Sequence, residues 1–305
     1  MGTRRVVRCV REAEAVRALR LTDEALPSPA PDEILVQVVC AVVDLEPLRM
    51  GRTPDVPTGA FLGTVGDGAA SPGLQPGDLV AGVGPLADRV SVARDRLRLL
   101  DADARSPREG LALLPVVASL VDALGSARLA LGDRVCVSGQ GLAARLSMQL
   151  AELSTGSPPS ALSRNGGVNG TQDAGAPHDT VGVDLLVDTT TDSAWWSKAL
   201  PLVREQGRVL LLLPPGPQVY PFDFYPMIHR RSLSLLARRV PGISGRPTIS
   251  QDDIRVLQHL FDRGLLDADG LLTSVRAESL GATGSLFDLN AVGTNQGLVW
   301  WFDGA

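Results

Sequence analysis

Three small residues at fixed spacing near the middle of the chain are suited to holding a phosphate group. Gly139, Gly141 and Ala144 follow the apolar run Val135–Ser138 and precede leucines at helical spacing, which makes a G-x-G-x-x-A turn between a strand and a helix. Gly139 would permit a tight bend, Gly141 would let the backbone approach a pyrophosphate, and Ala144 would let helix and strand pack closely. The pattern predicts a dinucleotide site, and a tight turn that binds nothing is the alternative.

The next feature of such a site is the residue that binds the ribose of the nucleotide. An acid that binds the ribose 2′-hydroxyl is expected about 20 residues after the turn. The second strand is expected to end at Ala161–Arg164, where Ser163 and Arg164 stand and no acid does. A guanidinium suits a 2′-phosphate, so NADP(H) is favoured over NAD(H). The alternative is that Arg164 is a solvated loop charge.

Strands and helices alternate around this turn. Continuous apolar runs predict buried strands at Asp133–Ser138, Val183–Val187 and Gly207–Leu213, and helical spacing predicts helices over Leu142–Leu153 and Ala194–Glu205. Continuous apolar strands alternating with helices indicate a parallel sheet that is covered on both faces.

The two ends of the chain have a different pattern. A buried strand is predicted at Glu33–Val43, a turn at Gln75–Asp78, and one or two helices over Pro107–Leu131. Ser250 can cap a helix that extends to Gly264, with Asp253 in the capping-box position. Glycine and proline punctuate the short strands of the first hundred residues, which favours a small, mostly β domain.

These motifs, taken in order, resemble the medium-chain dehydrogenase/reductase superfamily. Leu131–Gly141 is similar to its nucleotide-binding turn, and Leu74–Val80 to its Pro-Gly-Asp-x-Val turn. Gly182–Asp188 and Gly207–Leu210 are similar to its fourth and fifth Rossmann strands. The resemblance covers nearly the whole chain.

The resemblance implies an α/β fold in two domains. Residues 1–110 and 250–305 would form a discontinuous GroES-like β domain, and residues 111–249 a Rossmann-like, doubly wound parallel sheet. It also implies a nicotinamide cofactor and a homodimer. The predicted cofactor-binding residues are Ser138, Gly139, Gly141, Leu142, Ala144, Ser163, Arg164, Thr189 and Pro214.

Three residues are candidates for the chemistry itself. Ser119 stands where the family often has a threonine that contacts the nicotinamide, and an ordinary helix serine is the alternative. Tyr225 could donate a proton, and it belongs to an aromatic cluster that either lines an apolar pocket or packs a dimer contact. The other members of this cluster are Tyr220, Phe222 and Phe224. Asp44 follows Cys40 in an echo of the family's Cys-Gly-x-Asp turn, where it serves either as a structural residue or as a catalytic acid.

The sequence departs from the zinc-dependent members of this family. Its three histidines are His178, His229 and His259, so the first 177 residues contain none. The family's Gly-His-Glu position is Gly63-Thr64-Val65 here, and three cysteines are too few for a four-cysteine zinc lobe. We therefore expect no bound zinc.

The stretch from 154 to 180 is too short and too polar for the helix and strand that belong there. One βαβ unit takes roughly 30 residues or more, and only about 50 residues separate Val135 from Leu186. We expect a helix–strand pair to be missing, in the region that normally walls the adenosine pocket.

Composition narrows the possible partners. With 34 acidic and 29 basic residues the net charge is −5, which disfavours nucleic acid. Three scattered cysteines indicate reduced thiols in a cytoplasmic protein, and no apolar run suggests a membrane partner.

Two functional hypotheses follow from these features. The first is a zinc-independent, NADP(H)-dependent oxidoreductase acting on a small activated carbonyl, enone or quinone-like metabolite. The second is a cofactor-free cyclase, lyase or isomerase, or a non-catalytic member of the same fold in bacterial specialised metabolism, with a vestigial Rossmann site.

Overall fold

The computed structural model describes residues 2–12, 15–45, 48, 54–67, 73–101, 106–162, 168–169, 182–190, 196–213, 223–239, 250–277, 286–292 and 297–302. The strands, in chain order, are β1 Thr3–Glu12, β2 Ala15–Ala25, β3 Glu33–Val43, β4 Thr58–Val65, β5 Leu79–Pro85, β6 Arg89–Ala93, β7 Arg98–Leu99, β8 Val135–Ser138, β9 Ser160–Leu162, β10 Val168–Asn169, β11 Val183–Asp188, β12 Val203–Leu213, β13 Ser234–Arg239, β14 Leu272–Arg276, β15 Leu286–Asp288 and β16 Gly297–Trp301. The α-helices are α1 Arg108–Ser126, α2 Leu142–Thr155, α3 Trp196–Ala199 and α4 Gln251–Asp262.

The chain folds into two compact units. The first comprises Met1–Ser119 and Pro241–Ala305, and the second comprises Leu120–Val240. The division falls inside α1 and between β13 and α4. The first unit is thus discontinuous in sequence, and the second is one continuous segment.

The first unit is built mainly from antiparallel strands. Its larger sheet has the order β14-β16-β3-β4-β5-β7, with β6 paired to β3, and its smaller sheet has the order β1-β2-β15. Strand β3 is central to the larger sheet, and its last six residues are all buried. Trp300 packs edge-on against Phe287 in the core of this unit. This is the mostly β architecture of a GroES-like domain.

Local signals explain where elements of the first unit begin and end. Gly77 has φ +89° in the turn before β5, where the Asp78 carboxylate accepts a hydrogen bond from the Gln75 amide at 2.7 Å. Helix α4 begins with the predicted capping box, because Ser250 and Asp253 exchange side chain to backbone hydrogen bonds.

The second unit is a six-stranded sheet of the doubly wound kind. Its strand order is β10-β9-β8-β11-β12-β13, and every neighbouring pair is parallel except β10 and β9. In the common order 3-2-1-4-5-6, β8 is strand one, β9 is strand two, and β11 to β13 are strands four to six. Strand order reverses between β8 and β11, which is where such sheets bind their ligands.

Strand β10 occupies the place of strand three, and the short intervals on either side of it confirm the predicted shortening. Only five residues, 163–167, separate β9 from the antiparallel β10, whereas a parallel crossover needs a dozen or more. Thirteen residues, 170–182, then lead to β11. A helix–strand pair of ordinary length does not fit into either interval.

The helix predicted over Ala194–Glu205 is wrong in its second half. The α-helix ends at Ala199, a 3₁₀ turn follows over Leu200–Leu202, and β12 begins at Val203. Pro201 lacks the amide that would continue the helix. The pairing with β11 shifts by several residues at the start of β12, where Gln206 has φ +60°.

Helix α1 has the length and apolar composition of a membrane-crossing helix. Its most apolar 18-residue stretch has a mean hydropathy of 1.4, and 67 % of that stretch is buried inside the protein. It is the one such helix in the described ranges. Buried core helices pass the same test, so this is a weak indication of a membrane span.

Candidate functional site

The glycine turn lies at the carboxyl end of β8, the first strand of the parallel sheet. Gly139 has φ +119°, a backbone conformation that residues with a side chain rarely adopt, so a residue without a Cβ is required there. Gly141 has φ −71° and ψ −175° as the residue that caps α2. Any residue adopts this extended conformation, so the backbone alone does not require glycine at 141.

Close packing around Gly139 explains two of the predicted residue types. A Cβ at Gly139 would lie 2.0 Å from Thr189 Oγ1 and 3.6 Å from the Cβ of Ala144. Ala144 is buried in the first turn of α2. A larger side chain at either position would separate the turn from the helix or from β11, so both small residues serve the close approach of these elements.

No side chain caps the amino-terminal end of α2. Gly141 offers no side chain to cap the helix, and the first turn contains no acidic residue. Leu142 in this turn is buried, and the backbone amides of a first helical turn have no partner within the helix. Partial positive charge at this end of the helix favours a phosphate.

The end of β11 meets the glycine turn from the neighbouring strand. Asp188 is paired in register with Ser138, and Thr189 follows it. The Thr189 amide and hydroxyl both donate to the Ser138 carbonyl, at 2.9 and 2.8 Å. The structure therefore brings together Ser138, Gly139, Ala144 and Thr189, four of the residues assigned to the predicted cofactor site.

Asp188 is a member of this group that the sequence analysis missed. Its side chain is buried, and burial raises its pKa, while hydrogen bonds from Thr190 and Trp196 act in the opposite direction. A carboxylate directly after the apolar run Leu185–Val187 was the available signal, because a charge at the end of a buried strand is costly and needs a reason.

The candidate catalytic residues belong to both units: Asp44 and Ser119 are in the first unit and Tyr225 is in the second. The Ser119 hydroxyl donates to the Pro115 carbonyl at 2.8 Å, one turn back in α1, as helix serines often do. Asp44 is half-buried directly after β3. In the second unit Tyr225 is exposed at the start of a π-helical turn that ends at His229, and the centroids of the two rings are 5.4 Å apart.

Several predicted residues fall outside the described ranges. They are Ser163, Arg164 and Pro214 of the predicted cofactor site, together with Tyr220 and Phe222 of the aromatic cluster. Their roles remain predictions from the sequence.

Cys40 is fully buried in the first unit. Burial, and secondarily the charge of Glu109, raise the pKa of Cys40 to about 12. Its Sγ contacts the carbonyl oxygen of Arg108 at 3.8 Å. Across the residues that the structure describes, no group of three or more His, Cys, Asp or Glu side chains could hold a metal ion.

Comparison with solved structures gives matches along the full length. An alcohol dehydrogenase from Escherichia coli CFT073 complexed with NADH has a TM-score of 0.70 and 13 % identity, over 99 % of this chain and 100 % of that one. A zinc-binding dehydrogenase from Sinorhizobium meliloti 1021 bound to NADP gives 0.69 and 18 %, over 99 % and 100 %. Galactitol-1-phosphate dehydrogenase from Escherichia coli gives 0.72 and 15 %, over 98 % and 99 %.

The chain has the medium-chain dehydrogenase fold. This is the predicted fold class, a GroES-like β domain with a Rossmann-like sheet, in a chain of 305 residues. No family model and no curated protein matches the sequence. At 13–18 % identity these structural matches establish the fold alone, and the function is argued from the site.

Proposed function

We propose that this medium-chain fold binds a nicotinamide dinucleotide and works as an oxidoreductase. The observation that carries the proposal is the glycine turn. Gly139 at φ +119° is packed under Thr189 and against Ala144, at the strand-order reversal where doubly wound sheets bind nucleotides. The neighbours complexed with NADH and NADP support it.

The residues of the turn would hold the pyrophosphate. The amides at the start of α2 would donate to its oxygens, and Gly141 would leave room for the approach. Arg164 would bind a 2′-phosphate, so the cofactor we propose is NADP(H). Thr189 and Pro214 would lie toward the nicotinamide end of the site.

The substrate would be a small activated carbonyl, enone or quinone-like compound. A reduced nicotinamide supplies hydride, which an electron-poor double bond accepts without a metal. We propose a reaction without zinc, as the sequence predicts, so the protein's remaining tasks are binding, orientation and proton supply. Tyr225 is our candidate proton donor, Ser119 would contact the nicotinamide, and Asp44 would support the site by hydrogen bonding.

We also propose that the protein is located in the cytoplasm.

Gly141→Asp is the direct test of this function. Aspartate is a favourable helix cap and the dihedral angles at 141 admit it, and urea unfolding of the variant checks that the fold is kept. Its carboxylate would occupy the helix amides and repel a pyrophosphate. We expect oxidation of NADPH in the presence of a panel of enones and quinones to be lost.

The matched control introduces the same charge away from the turn. Gly125 is exposed near the end of α1, and a Cβ there would meet no atom within 4 Å. Gly125→Asp should keep the activity of the parent. Equal activity in the Gly141→Asp and Gly125→Asp proteins would refute the proposed site.

A further inference from the structure

A buried carboxylate beside the glycine turn has no role in the chemistry proposed above. Asp188 is 2 % exposed and ends β11, directly across from Ser138. The donors that the structure describes around it are neutral. A buried carboxylate without a cation is expensive, which indicates that its hydrogen bonds serve a purpose beyond packing.

Both oxygens of this carboxylate bind the residues that follow β11. Oδ1 accepts from the Thr190 amide at 3.0 Å and from the Thr190 hydroxyl at 2.8 Å. Oδ2 accepts from Trp196 Nε1 at 2.7 Å. One side chain therefore fixes the start of the connection after β11 and the first residue of α3.

Thr189 lies between Asp188 and Thr190 in the chain, and it contacts the glycine turn. Its amide and hydroxyl both donate to the Ser138 carbonyl, and its Oγ1 lies where a Cβ on Gly139 would be only 2.0 Å away. With Thr190 fixed by Asp188, the backbone of Thr189 has little freedom to leave this position. The contact then limits how Gly139 can move.

We propose that Asp188 is a positioning residue that holds the glycine turn in shape through Thr189 and Thr190. The inference rests on the proposed function for its consequence in binding, since a turn held in one shape meets a pyrophosphate without a cost in ordering. Burial of Asp188 at the end of a central strand gives this anchor the rigidity of the sheet.

The test compares two aspartates of one strand. Asp188→Ala removes the anchor. Asp184→Asn alters the other aspartate of β11, which accepts from the Arg134 amide at 2.8 Å and pairs with Arg204 at the opposite end of the strand. Both variants lose polar contacts of β11, and only the first touches the turn.

Two measurements separate positioning from general stability. We expect Asp188→Ala to weaken NADPH binding about tenfold or more, and to speed amide hydrogen exchange over residues 138–142 in the ligand-free protein. Asp184→Asn should change neither. Indole N–H resonances of the four tryptophans report whether the Trp196 bond to residue 188 is lost.

If Asp188→Ala does not fold, variants that each remove one hydrogen-bond donor to Asp188 replace it in the test. Thr190→Val removes one donor and Trp196→Phe the other, and each should give part of the same effect. Unchanged exchange over 138–142, with the Trp196 resonance shifted, would overturn the proposal. If the parent protein binds neither NADPH nor NADH, the proposed function fails, and the exchange measurement still decides whether Asp188 holds the turn.

Discussion

Gly139 and Gly141 are glycines for different reasons. Gly139 is required by its own backbone, at φ +119°, and by the Thr189 hydroxyl that lies over it. The backbone at Gly141 is extended and open to any residue. The dihedral angles at 141 do not require glycine, and the proposed approach of a pyrophosphate supplies a reason for it. Substitution should therefore cost stability at 139 and cofactor binding at 141.

Gly139→Ala should lower the stability of the fold. Strain at a positive φ and the clash with Thr189 together cost about 2–4 kcal/mol. The control is Gly125→Ala in α1, where a Cβ has open space and should stabilise the protein by up to about 1 kcal/mol. Urea unfolding of the two variants measures both changes, and an unaltered midpoint for Gly139→Ala would contradict the packing described here.

At the scale of elements, the parallel sheet depends on polar contacts at both ends of β11. Burial alone would raise the pKa of Asp184, but the hydrogen bond from the Arg134 amide and the charges of Arg204 and Arg134 outweigh it, so its pKa is lowered. A carboxylate whose pKa is lower in the folded state stabilises the fold above its unfolded pKa. That contribution is lost as the pH falls through the folded pKa.

Asp184→Asn should therefore make stability less sensitive to acid. We expect the parent protein to lose stability below about pH 4 more steeply than the variant, and to exceed it at neutral pH. Thermal unfolding at a series of pH values measures this. Parallel curves for the two proteins would show that ionisation of Asp184 contributes nothing to the pH dependence of stability.

The elements that the sequence predicted best have strong local signals. The apolar run Glu33–Val43 matches β3, and the capping box at Ser250 starts α4. Strands β1 and β2 were not recognised individually, because arginines interrupt their pattern. Some of these arginines form ion pairs across the two strands, as Arg8 does with Glu24. Such a contact is evident only once the hairpin has folded.

The candidate site was predictable where the backbone conformation dictates the residue type, and less so where tertiary contacts do. The glycine spacing predicted the turn, and Gly139 and Ala144 hold the expected places. The role of Asp188 could not be predicted, because its hydrogen bonds with Thr190 and Trp196 form only in the folded protein. The helix predicted through Glu205 was wrong because pairing of β12 with β11 outweighs helical propensity beyond Pro201.

The shortened sheet also predicts how the adenosine half of the cofactor is recognised. With β10 in place of a third parallel strand, recognition would rest on the end of β9 and thus on Arg164. Arg164→Ala should weaken NADPH binding by about tenfold or more, because a charge-assisted contact to the 2′-phosphate is lost, and should leave NADH nearly unchanged. Fluorescence titration with both nucleotides measures this, and equal losses would remove Arg164 from the site.

At the scale of the whole molecule, β13 is an edge strand of the six-stranded sheet among the residues that the structure describes. It pairs with β12 and is the last strand in the described order. An unpaired strand edge is a template for another chain. We propose that the protein is a homodimer, as the resemblance implies.

Sedimentation analysis tests this assembly. A homodimer should have twice the chain mass of 32.1 kDa at micromolar concentration. A species of 32.1 kDa that persists as the concentration rises would exclude it.

The central claim is that the glycine turn binds a nicotinamide dinucleotide, and calorimetric titration of the purified protein with NADPH and NADH tests it most directly. The account predicts micromolar binding of NADPH that is lost in Gly141→Asp and kept in Gly125→Asp. Absence of binding by either nucleotide at millimolar concentration, in a protein that is folded, would contradict it.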